Sequence, residues 1–300
     1  MSAVAIPIVP AIQLKRILYA TDFSEASRAG LPVASALARR YNSQILAAHV
    51  WTPMPISLST PEAYIALEKK EEDNAREAMT DFLNAPELAG LPVEVAVRSG
   101  IPADEMNRLV REKHPDLAIV STHGRTGFSK LMMGSVAEEM CRNLVCPVLS
   151  IGPHLAPRFK TIREIKNIVF ATDLSAQSAA VFPYLASLAH EYKATITLLH
   201  VLPAEAAGNP DLNVLAEPWL MELKKIYQSH LSPSSPAVFV VEAGDAVKRI
   251  LAHAKEVNAD LIGFGVRPAS FLATHFRNTV TYKVMMQAEC PVLMSHDGVR

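Results

Sequence analysis

Short apolar runs alternate with amphipathic stretches along the whole chain. Arg16 to Ala20 reads as a buried strand. Ser24 then caps a helix to about Tyr41, with Ala26, Val33, Leu37 and Ala38 on its apolar side, and Pro32 should kink or loosen it. Gln44 to Val50 is a second strand. Pro53, Pro55 and Pro61 mark a loop, after which an amphipathic helix runs to about Leu83. Val93 to Val97 is the third strand and Ala103 to Lys113 the next helix. Leu117 to Ser121, Val136 to Asn143 and Pro147 to Ile151 follow as strand, helix and strand. Strands that alternate with helices predict a parallel, doubly wound α/β sheet of five strands.

The same pattern is written twice. Leu14-Lys15-Arg16-Ile17-Leu18-Tyr19-Ala20-Thr21-Asp22-Phe23-Ser24 matches Ile165-Lys166-Asn167-Ile168-Val169-Phe170-Ala171-Thr172-Asp173-Leu174-Ser175. The match continues without a gap to His49-Val50 and His200-Val201 at about 40 % identity, too high for chance at constant register. A second gapless block pairs Gly100 with Gly244, Asp116-Leu117 with Asp260-Leu261, and Cys146-Pro147-Val148-Leu149 with Cys290-Pro291-Val292-Leu293. The chain is therefore read as two tandem domains, 1–152 and 165–300, joined by a linker at 153–164. Each is expected to carry a mainly parallel sheet in the order 3-2-1-4-5. Ligands of such sheets bind beyond the carboxyl ends of the strands, at the switch point of strand order. In this order Asp22, Val50 and the segment after the fourth strand line one crevice.

That segment, His123 to Val136, carries the candidate chemistry. It follows the apolar run Leu117-Ala118-Ile119-Val120 and ends in Gly134-Ser135-Val136, where a helical pattern begins. A helix N-terminus presents free N–H groups and a favourable dipole to an anion. Gly124 and Gly134 allow close backbone approach to a phosphate, Ser135 adds a hydroxyl, and Arg125 or Lys130 adds positive charge. Neither G-x-x-x-x-G-K-[ST] nor G-x-G-x-x-G occurs in the chain. The bland alternative is a βα connection whose glycines serve tight turning.

Composition narrows the classes. Apolar residues make up 50 %, charged residues 20 %, and the net charge is −1, so no general nucleic-acid footprint is present. Cys141, Cys146 and Cys290 are odd in number and lack C-x-x-C spacing, which argues against a disulfide framework and against zinc. The apolar N-terminus has no basic region and carries Pro7 and Pro10, so it is a poor signal peptide, and no stretch suits a membrane span. A soluble cytoplasmic protein is expected.

Several residues have plain structural explanations. Asp22 and Asp173 could be helix-capping acids ahead of Ser24 and Ser175. His49 and His200 suit strand-end histidines hydrogen-bonded to their surroundings better than metal ligands. His123 could orient its turn, the cysteines read as small buried residues, Leu131-Met132-Met133 as a packing run, and Glu68 to Glu77 as a solvated helix face.

Taken together, these residues resemble the universal stress protein family in its tandem form. Nucleotide-binding members carry G-x2-G-x9-G-[ST]. Here the second glycine is Gly124, and Gly134-Ser135 completes the pattern, while Ser121 stands at the first glycine. The resemblance implies that Ala20, Asp22 and Val50 meet the adenine and sugar, with Ala20 at the floor. It implies that Ser121, Gly124, Arg125, Gly127, Gly134, Ser135 and Val136 surround the ribose and phosphates. In the second half Gly265 restores the first glycine, but Pro268 replaces Gly124, Ala269 replaces Arg125 and Asn278 replaces Gly134. Asp173, Val201, Gly265, Thr279 and Val280 then outline a second, degenerate site, expected to bind triphosphate weakly, to bind something smaller, or to stay empty. The contrary reading is a differently shaped anion site built by Arg267, Arg277 and Asn278.

The resemblance implies ATP, with or without Mg2+, as the ligand. It also implies a pseudo-dimer of the two halves within the chain and association of two chains. Three functions compete: an ATP-binding stress-response protein, a slow ATP hydrolase, and a nucleotide-free interaction protein.

Overall fold

A computed structural model describes residues 12–53, 60–123, 133–161, 164–231, 236–266 and 276–296. The chain divides into two units, built on Leu14–Pro153 and on Arg163–Arg300. In the first, the strands are β1 (Arg16–Ala20), β2 (Gln44–Trp51), β3 (Val93–Ser99), β4 (Leu117–Ser121) and β5 (Val148–Ile151). The helices are α1 (Glu25–Arg28), α2 (Leu31–Tyr41), α3 (Pro61–Leu83), α4 (Pro102–Lys113) and α5 (Ser135–Asn143). All four strand pairings are parallel, in the order β3-β2-β1-β4-β5.

The expected single helix from Ser24 to Tyr41 is two helices. Helix α1 ends at Arg28, and α2 starts at Leu31 with Pro32 in its first turn. A proline lacks the N–H that an interior helical position must donate, but the first turn needs no such donor. The break therefore falls just before Pro32 and not at a kink.

Burial explains the strand sequences. β1, β2, β4 and β5 are nearly continuous apolar runs because both faces of a parallel sheet are covered. β3 is hydrogen-bonded only to β2 within this unit, and it alternates polar and apolar residues with a mostly half-exposed surface. Tyr19 of β1 packs on Phe82 of α3 with ring centroids 5.8 Å apart, and both are buried. Burial also raises the Tyr19 phenol well above its usual range. The Glu68–Glu77 stretch of α3 is mostly exposed, with Arg76 and Glu72 paired at 2.6 Å.

The second unit repeats this plan. Its strands are β6 (Asn167–Ala171), β7 (Thr195–Leu202), β8 (Ala237–Ala243), β9 (Leu261–Val266) and β10 (Val292–His296). Its helices are α6 (Ala176–Ala179), α7 (Phe182–Tyr192), α8 (Leu212–Gln228), α9 (Ala246–Glu256) and α10 (Val280–Gln287). The parallel order β8-β7-β6-β9-β10 is again 3-2-1-4-5.

The repeated sequence pairs have repeated structural duties. Asp116 Oδ2 accepts the N–H groups of Lys15 and Arg16 at 2.7 and 2.8 Å, pinning the start of β1 to β4. Asp260 does the same for Lys166 and Asn167 at 2.8 and 3.1 Å. Gly100 and Gly244 end β3 and β8 at φ of 145° and 140°, a region that side chains rarely enter.

One pair breaks the symmetry. At Gly265, a Cβ would sit 2.2 Å from the carbonyl oxygen of Gln177 and 2.3 Å from that of Ser178. Strand β9 and helix α6 approach so closely that only glycine fits. The equivalent position in the first unit holds Ser121, so that unit accommodates a side chain where the second cannot. Gly265→Ala should therefore lower the stability of the second unit by about 1–3 kcal/mol. Ser121→Gly should change the first by less than about 1 kcal/mol. Chemical denaturation followed by circular dichroism checks both, and equal losses would contradict the contact geometry.

Candidate nucleotide site

The crevice of the first domain lies beyond the carboxyl ends of β1, β2 and β4. Ala20, the last residue of β1, lines it, and after it the chain turns sharply. Thr21 Oγ1 accepts the N–H of Phe23 at 3.0 Å, and Asp22 Oδ1 accepts both the N–H and the hydroxyl of Ser24, at 3.0 and 2.6 Å. Ser24 in turn caps α1 by accepting the N–H of Ser27 at 3.1 Å. Asp22 is thus a brace behind the cap and not the cap itself. Phe23 sits at φ 66°, strained for a bulky residue. Each of these three local hydrogen bonds to Thr21 and Asp22 is worth about 1 kcal/mol, and together they offset that strain. The second domain repeats the turn: Leu174 has φ 63°, and Asp173 holds Ser175 at the same 3.0 and 2.6 Å.

His49, at the end of β2, is buried, and its Nδ1 lies 2.7 Å from the Thr21 carbonyl. A carbonyl oxygen only accepts, so Nδ1 carries the proton. The ring also packs on Phe23 at 4.3 Å. His200 contacts the Thr172 carbonyl at 2.8 Å in the same manner. These histidines hold the first turn against the second strand. No group of three or more His, Cys, Asp or Glu able to hold a metal ion occurs among the described residues.

The opposite rim comes from the end of β4 and the start of α5. The buried Thr122 donates its N–H to the Ile151 carbonyl at 3.0 Å, and its own carbonyl accepts the N–H of Gly134 at 2.9 Å. That bond ties the start of α5 to the end of β4. Gly124, Arg125 and Gly127 lie outside the described residues. Gly134 is the N-cap of α5 and offers no side-chain acceptor to its first-turn N–H groups. Its φ of −62° and ψ of 144° suit any residue. A Cβ there would meet a single neighbour, Thr122 O, at 3.9 Å. Neither the backbone nor the packing of the described residues demands glycine at 134.

These elements enclose a cleft of ≈ 240 Å³. Ala20, Asp22, Val50, Ser121, Gly134, Ser135 and Val136 all line it. So do Thr21, Ser27, Pro102 and Met106, which sequence reasoning left out. Thr21 and Ser27 recur in register as Thr172 and Ser178, a signal that was available. Pro102 and Met106 recur only as Ala246 and Ile250, so nothing in the sequence singled them out.

The second crevice encloses ≈ 360 Å³ and is lined by Asp173, Val201, Gly265, Thr279 and Val280, with Ala171, Thr172, Ser178 and His200. Its far rim is built differently. Thr279, not Asn278, is the N-cap of α10, and its Oγ1 accepts the N–H of Tyr282 at 3.1 Å. The same hydroxyl donates to the Phe276 carbonyl at 2.7 Å. This helix start is closed by its own side chain. Pro268 and Ala269 lie outside the described residues.

Cysteine chemistry is absent from both crevices. Cys141, Cys146 and Cys290 are buried, and burial is the main cause that pushes the Cys141 and Cys146 thiols up to about 12, so they stay protonated at neutral pH. None of the described helices is long and apolar enough to cross a membrane.

Comparison with known proteins agrees with this architecture. The family model described as the universal stress protein family matches residues 13–151 and again 164–296. A universal stress protein of Methanocaldococcus jannaschii is 27 % identical over 138 residues, covering 46 % of this chain and 81 % of its own length. One from Thermus aquaticus is 29 % identical over 138 residues, covering 46 % of this chain and 98 % of its own. Both are single-domain matches to a chain that carries the domain twice. Among solved structures, a universal stress protein from Archaeoglobus fulgidus shares the fold over 95 % of this chain and 97 % of its own, with a TM-score of 0.71 at 20 % identity. The chain therefore belongs to the universal stress protein family and carries two of its domains in tandem.

Proposed function

We propose that the first domain binds ATP, with or without Mg2+, and that occupancy of this cleft governs the part the protein plays in a stress response. The observation that carries this reading is Gly134. The glycine borders a cleft at an uncapped helix start, and neither backbone conformation nor contact with described residues requires it there. A phosphate chain is the occupant for which a bare backbone, a serine hydroxyl and first-turn N–H groups are suited. Ala20, Asp22 and Val50 across the cleft serve the adenosine. Arg125, Gly124 and Gly127 complete the phosphate side in this reading.

A dedicated hydrolase fits less well. One oxygen of Asp22 already accepts two bonds from Ser24, and the Nδ1 proton of His49 is committed to the Thr21 carbonyl. A general base must be placed to take a proton from the attacking water, and neither group is set up for that. Turnover is expected to be slow. Two chains acting as a homodimer in the cytoplasm belong to the same proposal.

Gly134→Glu tests the site, because the backbone conformation and the described residues around it tolerate a side chain. The melting temperature should stay within a few degrees, while ATP affinity falls by at least about tenfold. Unchanged affinity in titration calorimetry would remove the cleft from consideration.

Asp22 separates binding from bracing. Asp22→Asn keeps an oxygen that accepts from Ser24 and should preserve stability, whereas Asp22→Ala should cost about 1–2 kcal/mol. If the carboxylate meets the sugar, both variants bind ATP more weakly. If only the alanine variant does so, Asp22 serves the fold alone.

A further inference from the structure

We infer that the second domain holds a nucleoside without phosphates, and that its crevice has kept the base-and-sugar half of the first while closing the phosphate half. The assignment of the halves rests on the reading of the first cleft as an ATP site. The second crevice itself divides along the same line.

On one side everything is retained. Ala171, Thr172, Asp173, Ser178, His200 and Val201 line the cavity at the positions of Ala20, Thr21, Asp22, Ser27, His49 and Val50. The bonds are retained as well as the residues. Thr172 Oγ1 meets Ser178 Oγ at 2.7 Å, as Thr21 meets Ser27 at 3.0 Å. The strained residue and its carboxylate brace recur unchanged. A bulky residue is held in the left-handed region twice, with the same bonds, around a cavity that remains open.

On the other side, the described residues present a helix start closed by its own cap. The Thr279 hydroxyl gives its proton to Phe276 and accepts the N–H of Tyr282, so the hydroxyl and one of the first-turn donors that would face a phosphate are spent on the protein. The surrounding wall has become more aromatic. Phe264 stands where the first domain has Val120, and Ile250 where it has Met106. Phe276 lines the second cavity as well. An aromatic, apolar wall favours a planar, uncharged group.

The test is calorimetric titration of adenosine into the full chain already saturated with ATP and magnesium. One adenosine per chain is expected, bound at least about tenfold more tightly than ATP binds the same cavity. Val201→Trp and Ala246→Trp fill the cavity from two different elements. Each should abolish that adenosine, with the thermal melt followed by circular dichroism in parallel. If one variant fails to fold, the other decides. Two ATP per chain, the second lost in either variant, would overturn the proposal and favour an anion site at Arg277 and Asn278. Adenosine binding that survives both variants, or no adenosine binding at all, would overturn it too. If ATP binds nowhere, the reading of the first cleft has failed. Adenosine titrated into the unliganded chain and both variants then judges the second crevice by the same outcomes.

Discussion

Strands β1 and β4 lie side by side and parallel, and the chain leaves them in opposite directions across the sheet. This divergence is the constraint on which the site depends. A crevice lies at the carboxyl ends of this strand pair in each domain, as such a switch of strand order provides. The turn after β1 supplies one wall and the start of α5 the other. Everything that could meet a ligand reaches the crevice because those two strands are neighbours. Asp116 and Asp260 hold that neighbourhood from the opposite end, each accepting two N–H groups across the strand pair.

The duplication acts as an internal comparison. Two copies of one design share a core, a strained turn and a histidine that ties the first strand-end to the second. They differ where a phosphate would sit. In the first domain the helix begins at a glycine that leaves its N-terminus open, and in the second at a threonine that closes it. A single hydroxyl suffices for that change, because a helix N-terminus has only a few unsatisfied donors and one side chain claims part of them. Glycine also changes meaning between the copies. Gly265 is forced by backbone oxygens little more than 2 Å from where its Cβ would be, while at Gly134 the described residues come no nearer than 3.9 Å.

Much of the architecture was legible in the amino-acid order. Apolar runs, amphipathic stretches and proline-marked loops are local signals, and the internal repeat fixed where one domain pattern ends and the next begins. The crevice followed from topology, since an alternating pattern restricts strand order and places ligands at the switch point. Less legible were features that depend on exact approach. Ser24 was legible as the cap, but the plain alternative for Asp22, a second capping acid, gave no sign that it braces Ser24 across a residue at positive φ. The helix after it was read as continuous, yet it is interrupted before Pro32.

By itself the sequence determined the fold class, the duplication and the strand ends that form each crevice, because these rest on periodicity and repetition along the chain. Only the tertiary structure decided what each glycine is for. Gly265 and Gly134 look alike as letters of one motif. The distinction rests on how near Gln177 and Ser178 come to one and how far Thr122 stays from the other, and those distances are set by packing between residues apart in the chain.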